Sequence, residues 1–98
     1  MSFVLHPDVA QEIEQTTAFY NKQQAGLEKR FIEDLEDGIE KVCAHPLRYK
    51  VVEGGVRKCR LEHFPYLLIY QVQSEQVEII ALMHLRKQPD YWKNRHFS

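Results

Sequence analysis

Between Gly26 and Pro46 the apolar residues Leu27, Phe31, Leu35, Ile39 and Val42 recur at intervals of four, four, four and three. At 3.6 residues per turn a helix brings positions so spaced onto one face, whereas a strand would scatter them over both. The remaining positions of the segment are mostly charged, so the predicted helix buries one stripe and leaves an acidic surface outside. The stretch "AHP" ends it near His45, because the residue before a proline is pushed out of the helical region. Gly38 sits beside the stripe, where it costs about 1 kcal/mol of helix propensity relative to alanine. Its expected use is to let a first helix come close.

That first helix is predicted over about 7–24. Pro7 and Asp8 make a start signal, and Ala10, Ile13, Thr17 and Tyr20 follow at helical spacing with Gly26 as the stop. With only a few residues between them, the two helices form an antiparallel hairpin. The short segment "SFVLH" ahead of them is β-prone. After Pro46 the period changes. "YKVV" and "VRKCRL" flank Gly54-Gly55, "YLLIYQV" follows "HFP", and "VEIIALMHL" follows the polar "QSEQ", which reads as strands joined by tight turns. "YLLIYQV" is apolar on both faces and marks the central strand. The expected architecture is α+β: a short N-terminal strand, a helical hairpin, then an antiparallel meander that the hairpin covers on one face. With 98 residues, positions 1–98 form a single domain able to bury a modest core without disulfides or metals.

The net charge of −1 conceals a division. Met1 to His45 carries nine acids against four bases, a balance of −5, while Pro46 to Ser98 carries nine bases against five acids, a balance of +4. Local field steers an encounter more than net charge does, so the C-terminal half is suited to an acidic or polyanionic partner. The N-terminus has no basic start and its apolar run is broken by His6 and Pro7, unlike a secretory signal. No apolar run approaches the roughly 20 residues of a membrane helix. A cytoplasmic protein is expected, without contact to a membrane. Cys43 and Cys59 fit no zinc or redox spacing and read as small hydrophobes, and the pair Cys43 and His45 lacks a second pair to complete a metal site.

Chemistry-bearing residues concentrate in two places. In "VRKCRL", Val56, Lys58 and Arg60 share one face while Arg57, Cys59 and Leu61 share the other. Such charges commonly protect an edge strand, but Lys58 and Arg60 would also stand together as a pair of cations, with Arg57 structural or a partner contact. In "LMHLRKQPDYWKNR" (82–95), His84 and Arg86 would share a face at the strand end, with Lys87 next to them. Tyr91 and Trp92 lie among Lys93 and Arg95, an arrangement that could stack on nucleotides, although Trp92 reads more simply as packing the tail onto the domain.

In order and spacing, the helix "GLEKRFIEDLEDGIEKVCAHP", the basic strand, "FPYLLIYQV" and "VEIIALMHLRKQPDYWKNR" together resemble the RelE/ParE superfamily of bacterial type II toxin-antitoxin toxins. The resemblance covers nearly the whole chain. It implies a helical hairpin on a curved antiparallel sheet, no cofactor and no metal, and a cognate antitoxin whose partly disordered acidic segment folds on the toxin. Two activities occur in the superfamily. A RelE-like toxin cleaves mRNA on the ribosome without a metal, which requires a group to take the 2′-hydroxyl proton, cations on the phosphorane and a donor for the leaving oxygen. On that reading Lys58, Arg60, His84, Arg86 and Lys87 are the candidate catalytic residues. The match has gaps: Leu67 stands where that branch carries an arginine, and Tyr91 is displaced by two residues from its C-terminal tyrosine, where Lys93 stands. A ParE-like toxin instead poisons DNA gyrase through protein contacts, and "LMHLR" is similar to the end of its last strand. A charge near zero also suits a protein target better than RNA. The resemblance thus leans toward ParE-like gyrase inhibition, with Lys58, Arg60, His84, Arg86 and Tyr91 as target-binding residues.

Overall fold

The computed structural model describes residues 1–97. The order is β1 (Ser2–Leu5), α1 (Pro7–Gln23), α2 (Leu27–Ala44), β2 (Lys50–Glu53), β3 (Val56–Arg60), β4 (Tyr66–Gln73) and β5 (Gln76–His84). Both helices lie within one residue of the expected bounds. His6 caps α1, its Nδ1 accepting the Asp8 N–H at 3.0 Å. Gly26, at φ 94°, turns the chain into α2.

The strands form one sheet in the order β1-β5-β4-β3-β2, with β4 in the middle as its two apolar faces require. β2 to β5 make the expected antiparallel meander. β1 adds to it in the parallel sense, Ser2 to Leu5 lying opposite Gln76 to Ile79, so the sheet is mixed. The helical hairpin between β1 and β2 carries the chain from one edge of the sheet to the other, and no feature of four residues announces the direction in which they pair. β3 is an interior strand; the exposed edge is β2. Gly54 and Gly55 take positive φ in the β2–β3 turn, as a two-residue hairpin loop demands. In the β4–β5 turn the same conformation falls on Ser74 and Glu75, at φ 53° and 57°.

α2 sends Phe31, Leu35 and Val42 into the core facing the hairpin, where they meet Val9 of α1 and the sheet residues Cys59, Leu61, Leu68, Tyr70, Val77, Ile79 and Leu82. Gly38 serves this contact and not the helix pair. A β-carbon there would lie 2.7 Å from Leu61 Cδ2 and 3.3 Å from Leu68 Cδ1, so the glycine lets α2 settle on the sheet. On the opposite face Ile69, Ile80, Ala81 and Met83 form a second, smaller core that Trp92 closes. Trp92 therefore fastens the tail to the domain. Lys93 reinforces it with ion pairs to Glu53 of β2 at 2.7 Å and to Asp90 at 3.3 Å.

Gly38→Val is expected to destabilise the fold by about 1–3 kcal/mol through overpacking, measured as a shift of the urea midpoint, while Glu40→Ala on the exposed side of α2 should change it little. The double substitution Ser74→Asn and Glu75→Gly should raise stability by about 1 kcal/mol, because it relieves two side chains held in the left-handed region.

Candidate functional site

β5 ends at His84, which lies opposite Tyr66 of β4 with the two rings edge to face at 5.1 Å. The chain then turns sharply: the Leu85 N–H reaches the Pro65 carbonyl at 3.0 Å and the Lys87 N–H the His84 carbonyl at 2.9 Å. The Arg86 N–H donates to His84 Nδ1 at 3.0 Å. That bond makes Nδ1 the acceptor, so the neutral imidazole carries its proton on Nε2. Two adjoining clefts of about 280 and 230 Å³ share Gln15, Thr16, Tyr66 and His84. They make one groove between the outer surface of α1 and the end of β5. Phe19 and Tyr20 border one end and Lys87 and Tyr91 the other. Phe19 is 52% exposed, and the Lys87 ammonium stands 5.1 Å from the Tyr91 ring centre. The Tyr20 phenol is raised above its ordinary range by burial and by its hydrogen bond to Tyr66, and the Tyr91 phenol by burial and by Glu12. Near neutral pH both act as donors and stacking surfaces, not as bases.

Lys58 and Arg60 are elsewhere. Lys58 pairs with Ile69 and Arg60 with Leu67, and Ile69 and Leu67 pair in turn with Ala81 and Met83. Residues directly opposite in a sheet share a face, so both cations lie on the Trp92 face. His84 lies with Tyr66 on the hairpin face. A one-residue bulge at Ile80 produces this split, since Ile69 faces Ala81 while Tyr70 faces Ile79. Uninterrupted alternation in β5 would have placed His84 on the other side. Arg86 lies in the turn beyond β5 and not on the strand, exposed, and among the described residues it makes no ion pair. It therefore meets His84 through its backbone, not by sharing a strand face. Leu67 packs against the second core. Arg57 is structural, its guanidinium donating to the carbonyls of Leu47 at 3.2 Å and Tyr49 at 2.7 Å.

Sequence reasoning missed Glu12. Its carboxylate accepts from the Leu82 N–H at 3.1 Å, the Tyr91 hydroxyl at 2.7 Å and both terminal nitrogens of Arg95 at 3.0 Å. Arg95 also donates to the Ile80 carbonyl at 3.0 Å, and the Tyr91 hydroxyl to the Leu82 carbonyl at 3.4 Å. These are the backbone groups of β5 that β1 leaves unpaired when it ends at Leu5. Three side chains thus do the work of a missing strand segment. Tyr91 offers the groove its ring, while its hydroxyl is engaged inside. An acid and a base 83 residues apart carry no spacing signal that could have linked them.

An N-terminal strand, a helical hairpin and a four-stranded meander, with a basic turn and tail closing the far end, make up the fold that the resemblance to RelE/ParE toxins implies. The fold superposes on a solved structure described as the chromosomal ParDE TA system from P. aeruginosa, with a TM-score of 0.75 and 16% identity over 86% of this chain and 95% of that one. A family model, the ParE toxin of the type II toxin-antitoxin system parDE, matches residues 3–89, and the chain belongs to that family. No curated protein matches it.

Glu12→Ala is expected to cost about 2–3 kcal/mol in chemical denaturation, because it leaves the Leu82 N–H unpaired and the Arg95 guanidinium with only the Ile80 carbonyl and the exposed Asp8 carboxylate at 3.4 Å. Tyr91→Phe, which removes only the hydroxyl, should cost about 1 kcal/mol.

Proposed function

We propose that this toxin arrests growth by poisoning DNA gyrase through protein contacts made by the groove and the basic turn, and that a cognate antitoxin neutralises it. Family membership supports the class of activity. The observation that carries the choice of target is the separation of Lys58 and Arg60 from His84 by the thickness of the sheet. Metal-independent RNA cleavage needs a proton acceptor and cations about one scissile phosphate. Here the imidazole and the β3 cations Lys58 and Arg60 face opposite ways, which leaves Lys87 as the cation lining the groove with His84; Leu67 supplies no charge, and the guanidinium of Arg95 is engaged by Glu12. What the groove does offer is the Phe19 ring at one end, Tyr66 and His84 between, and Tyr91 with Lys87 at the other, with Arg86 on the adjoining turn. Aromatic surface rimmed by bases is the composition of a protein-contact hot spot. Among the described residues no helix is long and apolar enough to cross a membrane.

Induced expression without antitoxin is expected to give DNA breaks and an SOS response with transcripts intact, and co-expression of a cognate antitoxin should restore growth. The double variant His84→Ala and Arg86→Ala should lose at least about tenfold in supercoiling inhibition, the effect of removing one or two hot-spot side chains, while keeping its melting temperature. Cleaved transcripts with no SOS response would replace this reading with the RelE-like ribonuclease, in which ribosome and mRNA are the partners. No growth arrest at all would leave a member that retains antitoxin binding alone.

A further inference from the structure

β2 is an open edge of the sheet, and all four of its residues, Lys50, Val51, Val52 and Glu53, are exposed. An edge strand carries unpaired backbone N–H and C=O groups on its outer side, so it can accept another strand. Apolar side chains stand beside that free backbone, Val51 and Val52 being 46% and 43% exposed. The charges at the edge are incompletely matched. Lys50 lies directly opposite Lys58 of β3, and like charges so placed repel. Among the described residues neither lysine forms an ion pair. Glu53 holds Lys93 through Oε1 at 2.7 Å, and a carboxylate accepts on both oxygens.

A bulge decides which way these groups face. Lys50 pairs with Lys58, Val51 with Arg57 and Glu53 with Val56, so Val52 is an extra residue. Val56 and Lys58 are two apart on β3 and share a face, so Lys50 and Glu53 share it as well. A regular strand would have turned two residues three apart to opposite faces. A two-fold axis perpendicular to a sheet reverses the strand direction and keeps each face where it is. With that axis between Val51 and Val52, a second β2 brings its Glu53 opposite Lys50 and its Lys50 opposite Glu53, and the valines meet in the middle. Shifting the register by one residue sets a charge against a valine at both ends. The sequence "KVVE", bulged as it is here, is its own complement.

We propose that β2 pairs antiparallel with β2 of a second copy of this chain, joining two five-stranded sheets into one continuous sheet. β3 and β4 separate this edge from β5, so the contact does not involve the groove at His84 and is independent of which target the toxin inhibits. Two four-residue strands bury far less than the roughly 1,200 Å² of a stable interface. The dimer is accordingly weak, with a Kd on the order of 100 µM.

The test is sedimentation equilibrium of the purified toxin over about 10 µM to 1 mM, with amide hydrogen exchange to locate the contact. Exchange at 50–53 should slow as the concentration rises. Lys50→Glu and Glu53→Lys should each weaken self-association about tenfold, since either one sets like charges together at both ends of the pair. Their equimolar mixture sets two acids against two bases and should associate at least as well as the parent. Because Glu53→Lys also gives up Lys93, Val51→Glu supplies an independent reading. It keeps its place opposite Arg57 within its own chain, and should weaken the dimer without lowering the melting temperature. A toxin that stays monomeric throughout, a mixture that fails to associate, a dimer undiminished in Val51→Glu, or exchange at 50–53 slowed only by bound antitoxin would each overturn the proposal.

Discussion

A sheet whose central strands are apolar on both faces has to be covered twice. β4 and β5 impose that condition here, with Leu68, Tyr70, Ile79 and Leu82 facing one way and Ile69, Ile80, Ala81 and Met83 the other. The helical hairpin is one cover. The tail supplies the other cover with a single large ring, Trp92, and is secured by Lys93 on β2 and Arg95 on Glu12. Among the described residues the buried indole N–H of Trp92 finds no partner, a cost of about 1–3 kcal/mol that the apolar contact of the ring must exceed. Much of what looked functional in the tail is there because the sheet needs closing.

The same constraint decides what is left over for recognition. Once Trp92 and Arg95 are committed inward, the groups that remain free near the end of β5 are the ring of Tyr91, the imidazole of His84 and the cations at Arg86 and Lys87. They face outward from a turn whose backbone is tied to Pro65 and His84. A rigid turn of this kind presents side chains at little entropic cost, which suits a surface that works by binding. Lys58 and Arg60 of β3 share the opposite face with the tail, so any partner reading them meets a different side of the molecule.

Where periodicity was strong the sequence was a good guide. The stripe Leu27, Phe31, Leu35, Ile39 and Val42 gave α2, Gly54-Gly55 gave a hairpin turn, and the apolar run of β4 marked the middle of the sheet. Three things were hidden, each because its cause is nonlocal or one residue in size. The parallel pairing of β1 depends on how the helical hairpin carries the chain across the sheet. The face of His84 depends on a bulge at Ile80, which a pattern of period two cannot register because Glu78, Ile79, Ile80 and Ala81 offer no break. The partnership of Glu12 with Arg95 joins the two ends of the chain. Gly38 was legible as a close approach, but the surface approaching it was the sheet and not α1.

The pairing of β1 with β5 bears on the order in which the molecule can assemble. Ser2 waits for Gln76, and Glu12 for Arg95, so residues early in the sequence are completed by residues 74 to 83 positions later. The helical hairpin and the β2–β4 meander can form from neighbouring contacts, but the edge of β5 is finished only when both ends of the chain are present, and contacts of such long span form late. The groove borders that edge. A chain without the stretch from Tyr91 to Arg95 would own most of the fold yet leave this edge of the sheet and the border of the groove unfinished.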